Sequence, residues 1–169
     1  MDARAGEKDM TDVRELTVAQ VMSRTLVAVA PDESPLLAWE IMRRADVHHL
    51  PVVDGHGRLR GVLTREDVTA RWAGGPFDQA RVRVDALLGD HRCPHTGLDA
   101  SLAEAAAAML GAGVDAIPVL GESGRLVGMV TATDVIRAVA GQVAGQEKPP
   151  ELMTGMFRLV PVLPQTYRT

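Results

Sequence analysis

Two short motifs of identical spacing carry the chemistry that the sequence offers. Thr64 is followed three residues later by Asp67, and Thr131 is followed in the same way by Asp134. Each motif lies where a predicted strand passes into a predicted helix, and the free N–H groups and positive dipole end of a helix N-terminus suit a phosphate. A carboxylate one turn into the helix can accept hydrogen bonds from both hydroxyls of a ribose. The same spacing is typical of a capping box, with Asp in the place of Glu, so both interpretations stay open.

Basic side chains accompany the first motif. His48 and His49 precede the predicted strand that begins at Leu50, and Arg65 follows Thr64. An imidazole can hydrogen-bond or, when protonated, attract an anion, and the planar guanidinium of arginine matches a phosphate. Because neighbours in a strand point to opposite faces, we expect at most one histidine to face a cleft. The alternative is that all three side chains are solvated.

The second motif lacks these groups. The counterparts of His48, His49 and Arg65 in the second half are Asp115, Ala116 and Ala132, none of which attracts an anion. Arg92, just before the first strand of that half, could compensate. We therefore expect one dominant anion-binding cleft, with the first half of the chain supplying its charge.

The sequence gives little evidence for a metal site or a catalytic site. His91, Cys93 and His95 do not have a standard zinc spacing, and no second cluster completes four ligands; a metal-dependent enzyme built on them is the weakest hypothesis. Cys93 is expected to be a small buried strand residue. The sequence has no nucleophile elbow and no phosphate loop ending in Gly-Lys-Ser/Thr, so we predict that the chain is not an enzyme.

These motifs belong to an internal duplication. An offset of 67 residues relates Thr17–Ala70 to Val84–Arg137 without a gap. We divide the chain into an arm (1–15), repeat one (16–72), a linker (73–82), repeat two (83–140) and a tail (141–169). A repeat of this size is marginal as an independent unit, so the repeats should share a core. The tail contains an apolar stretch, 159–163, which we expect to dock as an edge strand or to face a partner, because Pro161 within it and Pro164 after it exclude a central strand.

Each repeat is predicted to have the order β-α-β-β-α, an α/β (α+β) fold with a three-stranded sheet and helices on one face. We expect the two repeats to pack against each other by pseudo-twofold symmetry. In repeat one the segments are a helical turn at Thr17–Met22, a strand at Leu26–Val29, a helix capped by Ser34, strands at Leu50–Val53 and Arg58–Leu63, and a helix opening at Thr64. In repeat two, Ser101 and Glu104 form a capping box, Gly111 and Gly113 end that helix, the strands are Ile117–Leu120 and Leu126–Val130, and the last helix opens at Thr131.

Composition narrows the class of protein. The 169 residues carry a net charge of −4, which argues against a general nucleic-acid binder. The apolar fraction is 46% and the aromatic fraction 3%, so the core is aliphatic. There is one cysteine, hence no intrachain disulfide. No apolar run reaches the length of a membrane span, and 1–15 lacks a signal peptide's apolar segment; we expect a cytoplasmic protein with no membrane partner.

The repeated pattern resembles the CBS domain, and the chain resembles a tandem CBS pair. The residues that carry the resemblance in repeat one are Val21-Met22-Ser23, Pro31-Asp32, Ala38, Met42, His49-Leu50-Pro51-Val52-Val53-Asp54, Gly57, Gly61, Thr64 and Asp67. Those in repeat two are Asp99, Ala105, Met109, Pro118-Val119, Gly124, Gly128, Thr131 and Asp134. Repeat two departs from the pattern at Leu98 and at Leu88-Gly89-Asp90, which replaces Val21-Met22-Ser23.

The resemblance implies a regulatory module that binds an adenosine nucleotide (AMP, ADP or ATP, less readily S-adenosylmethionine or NADH) between the repeats. It also implies a homodimer, formed through helices such as the one that contains Ala105–Ala108, and an unidentified regulated protein. No cofactor is required. The alternative is a structural or protein-interaction pair without a functional nucleotide site. The expected ligand positions are His48, His49, Leu50, Pro51, Thr64, Arg65, Asp67, Arg92, Ala116, Ile117, Pro118, Thr131 and Asp134.

Overall fold

The computed structural model describes residues 12–24, 26–70, 82–89 and 93–142. Repeat one contains, in order, α1 (Val18–Val21), α2 (Pro35–Ala45), β1 (His49–Val53), β2 (Leu59–Thr64) and α3 (Arg65–Ala70). Repeat two contains a 3₁₀ turn (Val84–Leu87), β3 (Thr96–Gly97), α4 (Leu102–Ala112), β4 (Ala116–Leu120), β5 (Leu126–Thr131) and α5 (Ala132–Val139). A further 3₁₀ turn, Val13–Glu15, precedes α1. The predicted mixed α+β fold is confirmed.

The two repeats build similar sheets. In repeat two, β3 runs parallel to β4, and β4 pairs with β5 in antiparallel register. In repeat one, β1 and β2 form the matching antiparallel hairpin. The predicted strand Leu26–Val29 is reduced to one parallel bridge between Val29 and Val52. Val29 makes two backbone hydrogen bonds there, to Pro51 and Val53, which is too short a ladder for a strand.

The helix boundaries follow their caps. The Ser34 hydroxyl accepts the Leu37 N–H at 3.2 Å, with Pro35 in the first turn. Ser101 and Glu104 form the predicted capping box on α4, and the hydrogen bonds from Ser101 lower the pKa of Glu104. The prediction that Gly111 helps to end α4 is wrong: Gly111 lies inside the helix, and Gly113 caps it.

The core of each repeat includes residues from the beginning of the other repeat. We call these the front segments, residues 16–23 of repeat one and 84–89 of repeat two. The repeat-one core consists of Val29, Ala38, Met42, Leu50, Val52, Leu63 and Val68, together with Val84 and Leu87 from repeat two. The repeat-two core consists of Leu102, Ala105, Met109, Ile117, Val119, Val130 and Ala138, together with Leu16, Val18, Val21 and Met22 from repeat one. This exchange is how two marginal units share their apolar burial.

The exchange corrects the gap-free alignment of the repeats. Val18 and Ala19 donate their N–H groups to the carbonyls of Ala100 and Leu98, whereas Val84 and Asp85 donate to those of Glu33 and Pro31. The acceptors are related by the offset of 67, but the donors are related by 66. Met22 therefore corresponds in space to Leu88, not to Gly89, and repeat two has one additional residue between Gly89 and Thr96.

A glycine in each sheet admits the incoming front segment. A Cβ on Gly128 would collide with the Met22 sulfur and come within 3.1 Å of the Ser23 carbonyl oxygen. That carbonyl accepts the Met129 N–H at 3.0 Å, and the Ser23 N–H is bonded to the Met129 carbonyl at 2.9 Å. A Cβ on Gly61 would lie 3.0 Å from a Leu88 methyl. The two shared glycines are thus explained by close approach of the partner repeat.

Candidate functional site

The two Thr-x-x-Asp motifs are both complete capping boxes. Asp67 Oδ2 accepts the Thr64 N–H at 2.8 Å and the Thr64 hydroxyl at 2.7 Å, and the Asp67 N–H returns to the hydroxyl at 3.1 Å. Thr131 and Asp134 repeat this geometry at 2.8, 2.8 and 3.3 Å. Both motifs therefore cap their helices. A ligand would have to bind the other carboxylate oxygen, Oδ1, of Asp67 or Asp134.

Few N–H groups remain for a phosphate at these helix starts. The Arg65 N–H donates to the His48 carbonyl at 3.2 Å, and the Ala132 N–H donates to the Asp115 carbonyl at 2.8 Å. Together with the Asp67 and Asp134 N–H groups, two of the first three donors of each helix already have protein acceptors. The sequence-based expectation of a phosphate cradle is weakened at both positions.

The two carboxylates differ in accessibility. The Asp134 side chain is 4% exposed, with Oδ1 lying 3.9 Å from Arg137 Nη1. The Asp67 side chain is partly exposed, and its Oδ1 has no hydrogen-bond partner in the described part of the chain. Asp67 can therefore accept new hydrogen bonds from a ligand without losing its capping contacts, whereas Asp134 is enclosed.

The histidines have distinct environments. His49 is paired across the β1–β2 hairpin with Thr64, and its Nε2 lies 2.6 Å from Asp115 Oδ1 of repeat two. The His49 side chain is 15% exposed, while that of Asp115 is 74% exposed. His48 is exposed. One histidine thus faces the other repeat, next to the Thr64–Asp67 box, and an acidic group accompanies it.

Arg65 does not extend toward this junction. Its Nε donates to the Val47 carbonyl at 3.2 Å and its Nη2 to the Met42 carbonyl at 3.3 Å, with Asp46 Oδ1 at 3.7 Å. Met42 lies in the last turn of α2 and Val47 follows its C-cap, so Arg65 places positive charge at the C-terminal end of the helix, where it is favourable. The guanidinium expected to bind phosphate is instead held as a cap on α2.

The remaining predicted ligand positions lie on the hairpin strands. Leu50 and Ile117 are fully buried in the two cores, so their side chains cannot line a cleft. Pro51, Ala116 and Pro118 are buried as well. Pro51 and Pro118 alternate with the core residues and thus point to the opposite face of each sheet. Arg92 lies outside the described residues.

The His91–His95 segment is described only from Cys93 onward. Burial raises the pKa of the Cys93 thiol, against a smaller lowering by a hydrogen bond from the Val62 backbone. The ring of His95 lies 3.2 Å from the Cys93 carbonyl oxygen through Nδ1. Within residues 12–24, 26–70, 82–89 and 93–142, no three His, Cys, Asp or Glu side chains are close enough to hold a metal ion.

Asp115 is the residue of this junction that the sequence did not indicate. In the repeat alignment Asp115 is the acidic counterpart of His48, and there it argues only against anion binding in the second cleft. The pseudo-twofold relation between the repeats instead places Asp115 against His49 at the first cleft. A signal was present, because residues that precede corresponding strands in two symmetry-related repeats approach each other near the axis.

Fold and site together define a class: a tandem pair of α+β repeats with exchanged front segments and a polar junction between the starts of β1 and β4. A family model described as "CBS domain" matches residues 18–74 and 90–141. The chain belongs to the CBS domain family, with two copies in tandem.

Relatives of similar length support this assignment. A CBS domain-containing protein of Dictyostelium discoideum is 32% identical over 133 residues, which is 72% of this chain and 90% of the relative. Other relatives are longer enzymes, including homoserine O-acetyltransferase of Methanocorpusculum labreanum and inosine-5'-monophosphate dehydrogenase of Methanocaldococcus jannaschii. The alignments cover 23% and 26% of those proteins. This chain matches their CBS part alone.

Solved structures show the same fold. CBSX2 in complex with AMP has a TM-score of 0.64 at 26% identity, covering 74% of this chain and 96% of the other. Hypoxic Response Protein I with two coordinated zinc ions has a TM-score of 0.64 at 28% identity, covering 72% and 98%; the curated protein of this name is from Mycobacterium tuberculosis. In the part of this chain that the structure describes, no helix is both long and apolar enough to cross a bilayer.

Proposed function

We propose that this chain is a regulatory module that binds an adenosine nucleotide (AMP, ADP or ATP) between its repeats and transmits binding to a partner protein. The observation that carries the proposal is the partly exposed Asp67, which lies beside the junction of His49 and Asp115. Its Oδ1 accepts no hydrogen bond from the described residues. Support for the ligand class comes from a structural relative that holds AMP.

The roles follow from the geometry. Asp67 Oδ1 accepts hydrogen bonds from the ribose hydroxyls while Oδ2 keeps the cap on α3. His49 lies opposite Thr64 and offers an imidazole to the phosphate or the base. Asp115 holds His49, and a ligand that displaces this contact changes how the repeats meet. A ligand shifts such an arrangement only through its different affinity for the two states.

The second cleft is proposed as the weaker one. Asp134 is enclosed, and Ala116 and Ala132 add no polar group there. Arg92 is the basic residue that we assign to this cleft. Arg65 contributes to the first cleft only if it leaves the α2 carbonyls, so we expect its substitution to alter stability more than ligand affinity.

A thermal-shift and calorimetric panel of AMP, ADP, ATP, S-adenosylmethionine and NADH tests the proposal. At a ligand concentration about 100-fold above Kd, the stabilisation should be about 2.7 kcal/mol. The sharper arm compares AMP with 2'-deoxy-AMP, because loss of a hydrogen bond to a carboxylate costs about 1.5–3 kcal/mol, roughly 10- to 100-fold in Kd. In Asp67→Asn this preference should shrink, while in the matched Asp134→Asn it should persist.

Binding of no adenosine compound would contradict the nucleotide function. Equal discrimination against 2'-deoxy-AMP in wild type and Asp67→Asn would show that Asp67 serves only as a cap.

We further propose that the protein is a homodimer that associates through α4 and α5. Leu110 is 84% exposed, and Ile136 and Val139 are each 67% exposed. The α2 positions that correspond to Ala107, Leu110 and Gly111 are Glu40, Arg43 and Arg44. Within the described residues these three are the most exposed large apolar side chains, ahead of Leu36 of repeat one at 45%, so a twofold dimer should pair repeat two with repeat two.

This surface also supports the second candidate function, a protein-interaction pair without a working nucleotide site. Under that hypothesis, Asp67 and Asp134 are caps only. A partner would bind α4 and α5 equally well with and without nucleotide. The ligand panel described above distinguishes the two functions, because only the regulatory module binds an adenosine nucleotide.

A further inference from the structure

The tips of the two sheet hairpins meet on the pseudo-twofold axis. The loop before β2 and the loop before β5 are joined by an antiparallel bridge between Arg58 and Arg125, residues related by the offset of 67. The Leu126 N–H also donates to the Gly57 carbonyl at 3.2 Å. The duplication therefore brings two arginines with equivalent positions side by side.

An open depression lies between these tips. It is lined by Gly55, His56, Gly57, Arg58, Ser123 and Arg125. The guanidinium of Arg125 lies over Gly57, with Nε and Nη2 each 3.3 Å from the point that a Cβ would occupy. Gly57 has φ 76°, which favours glycine and leaves this space for the arginine.

Within the described residues, neither Arg58 nor Arg125 forms an ion pair. The nearby Asp54 accepts the backbone N–H groups of Arg58 and His56 at 3.0 and 2.9 Å, and these bonds, with a smaller contribution from the charges of His56 and Arg58, hold its pKa below the ordinary range. Its carboxylate is thus turned into its own loop. Glu122 lies in the facing loop but does not line the depression.

Two guanidinium groups, an imidazole and a hydroxyl are donors that match a phosphate oxyanion. Like charges placed opposite each other are unfavourable unless an anion lies between them. We propose that the hairpin tips form a phosphate-binding site, separate from the nucleotide cleft. The distance supports separate sites, because the tips lie at the far end of β1 and β4 from His49 and Asp115, about 13 Å along the strand.

An anion at this position contacts both repeats. Binding should therefore fasten the two hairpin tips to each other and raise the stability of the pair. The phosphate could be a free ion or the tail of a nucleotide, and the experiment has an arm for each source.

Pyrophosphate is the probe, titrated by calorimetry at low ionic strength because exposed charges are screened by salt. We expect a Kd below about 1 mM for the wild-type chain. Arg58→Gln and Arg125→Gln should each weaken binding at least about tenfold, one full charge-assisted contact, and the double variant should bind nothing measurable. Arg60→Gln removes the same charge two residues away, outside the depression, and should bind as wild type.

A second arm titrates ATP into Asp67→Asn with and without the two arginine substitutions. ATP binding that survives Asp67→Asn but not the arginine substitutions assigns the phosphate to a nucleotide tail. Binding of pyrophosphate without binding of ATP at the hairpin tips assigns the site to the free ion. Thermal unfolding of each variant establishes that Arg58→Gln, Arg125→Gln and Arg60→Gln leave the fold intact. No wild-type binding of either probe, or an equal loss in Arg60→Gln, overturns the site.

Discussion

His49 Nε2 lies 2.6 Å from Asp115 Oδ1, and this hydrogen bond joins the start of β1 in repeat one to the start of β4 in repeat two. Its pseudo-symmetric equivalent would join Ala116 to His48, which cannot form the same bond. The duplicated scaffold therefore has a single polar contact of this kind, and it lies beside the Thr64–Asp67 box. This asymmetry distinguishes the first cleft from the second.

Removal of either partner should weaken the association of the repeats. Because Asp115 is 74% exposed, we expect a coupling energy of only ~0.2–1 kcal/mol in a double-mutant cycle of His49→Ala and Asp115→Ala. Urea denaturation of the four chains measures it. His48→Ala serves as the control and should show no coupling with Asp115→Ala. A coupling indistinguishable from zero for His49 would mean that the contact contributes nothing to folding.

The capping boxes should contribute unequally to stability. Asp134→Ala removes an enclosed carboxylate and leaves the Thr131 hydroxyl and N–H without their acceptor, so we expect a loss of ~1–3 kcal/mol. Asp67→Ala affects a more exposed cap and should cost ~0.5–2 kcal/mol. Chemical denaturation of both variants gives the order. A larger loss at Asp67 would contradict the difference in burial.

Much of the fold could be predicted from the sequence because its signals are local. Ser34 with Pro35, and Ser101 with Glu104, define helix starts through capping chemistry that depends on neighbouring residues alone. The two hairpins follow from repeated apolar strands around glycine-containing turns. The order of elements needed no knowledge of distant contacts.

The exchanged front segments and the position of Asp115 depend on distant contacts. The front segments of the two repeats are related by an offset of 66 residues rather than 67. A gap-free alignment does not reveal this difference, because both possible counterparts of Val21, which are Leu87 and Leu88, are apolar. The structure places Thr64, Asp67 and His49 near one another, whereas Arg65, which the sequence indicates as a phosphate ligand, contacts the carbonyls of Met42 and Val47 at the end of α2. Competition between a helix end and a ligand cannot be judged from sequence.

The close approach at Gly128 predicts a large steric effect. Gly128→Ala should destabilise the protein by ~1–3 kcal/mol, because the new methyl group meets the Met22 sulfur and the Ser23 carbonyl. Gly61→Ala meets only the flexible end of Leu88 and should cost less. Equilibrium unfolding of the two variants provides the comparison. Equal losses would contradict the tighter docking of the repeat-one front segment.

The exposed face of α2 predicts a pH-dependent contribution from Glu40. Hydrogen bonds from Arg43 and Arg44 lower the pKa of Glu40 from 4.5 to about 2. A depressed carboxylate pKa gives stability that is fully present above pH 4.5 and is lost as the pH falls toward 2. The stability difference between wild type and Glu40→Gln should therefore shrink over this interval. Titration of the Glu40 side chain by NMR checks the pKa directly, and a midpoint near 4.5 would contradict the ion-paired geometry.

The apolar surface of repeat two predicts which substitutions will dissociate the proposed homodimer. In a twofold dimer each substitution occurs twice, so Leu110→Asp should remove two buried leucines, ~3 kcal/mol or more, and raise the dimer Kd at least about 100-fold. Ile136→Asp should act similarly. Leu36→Asp places the same charge on the first turn of α2 in repeat one and is the matched control. Sedimentation equilibrium of the four chains gives their masses. A monomeric wild type, or dissociation caused equally by Leu36→Asp, would exclude pairing of repeat two with repeat two, because the apolar residues on α4 and α5 would then have no special part in assembly.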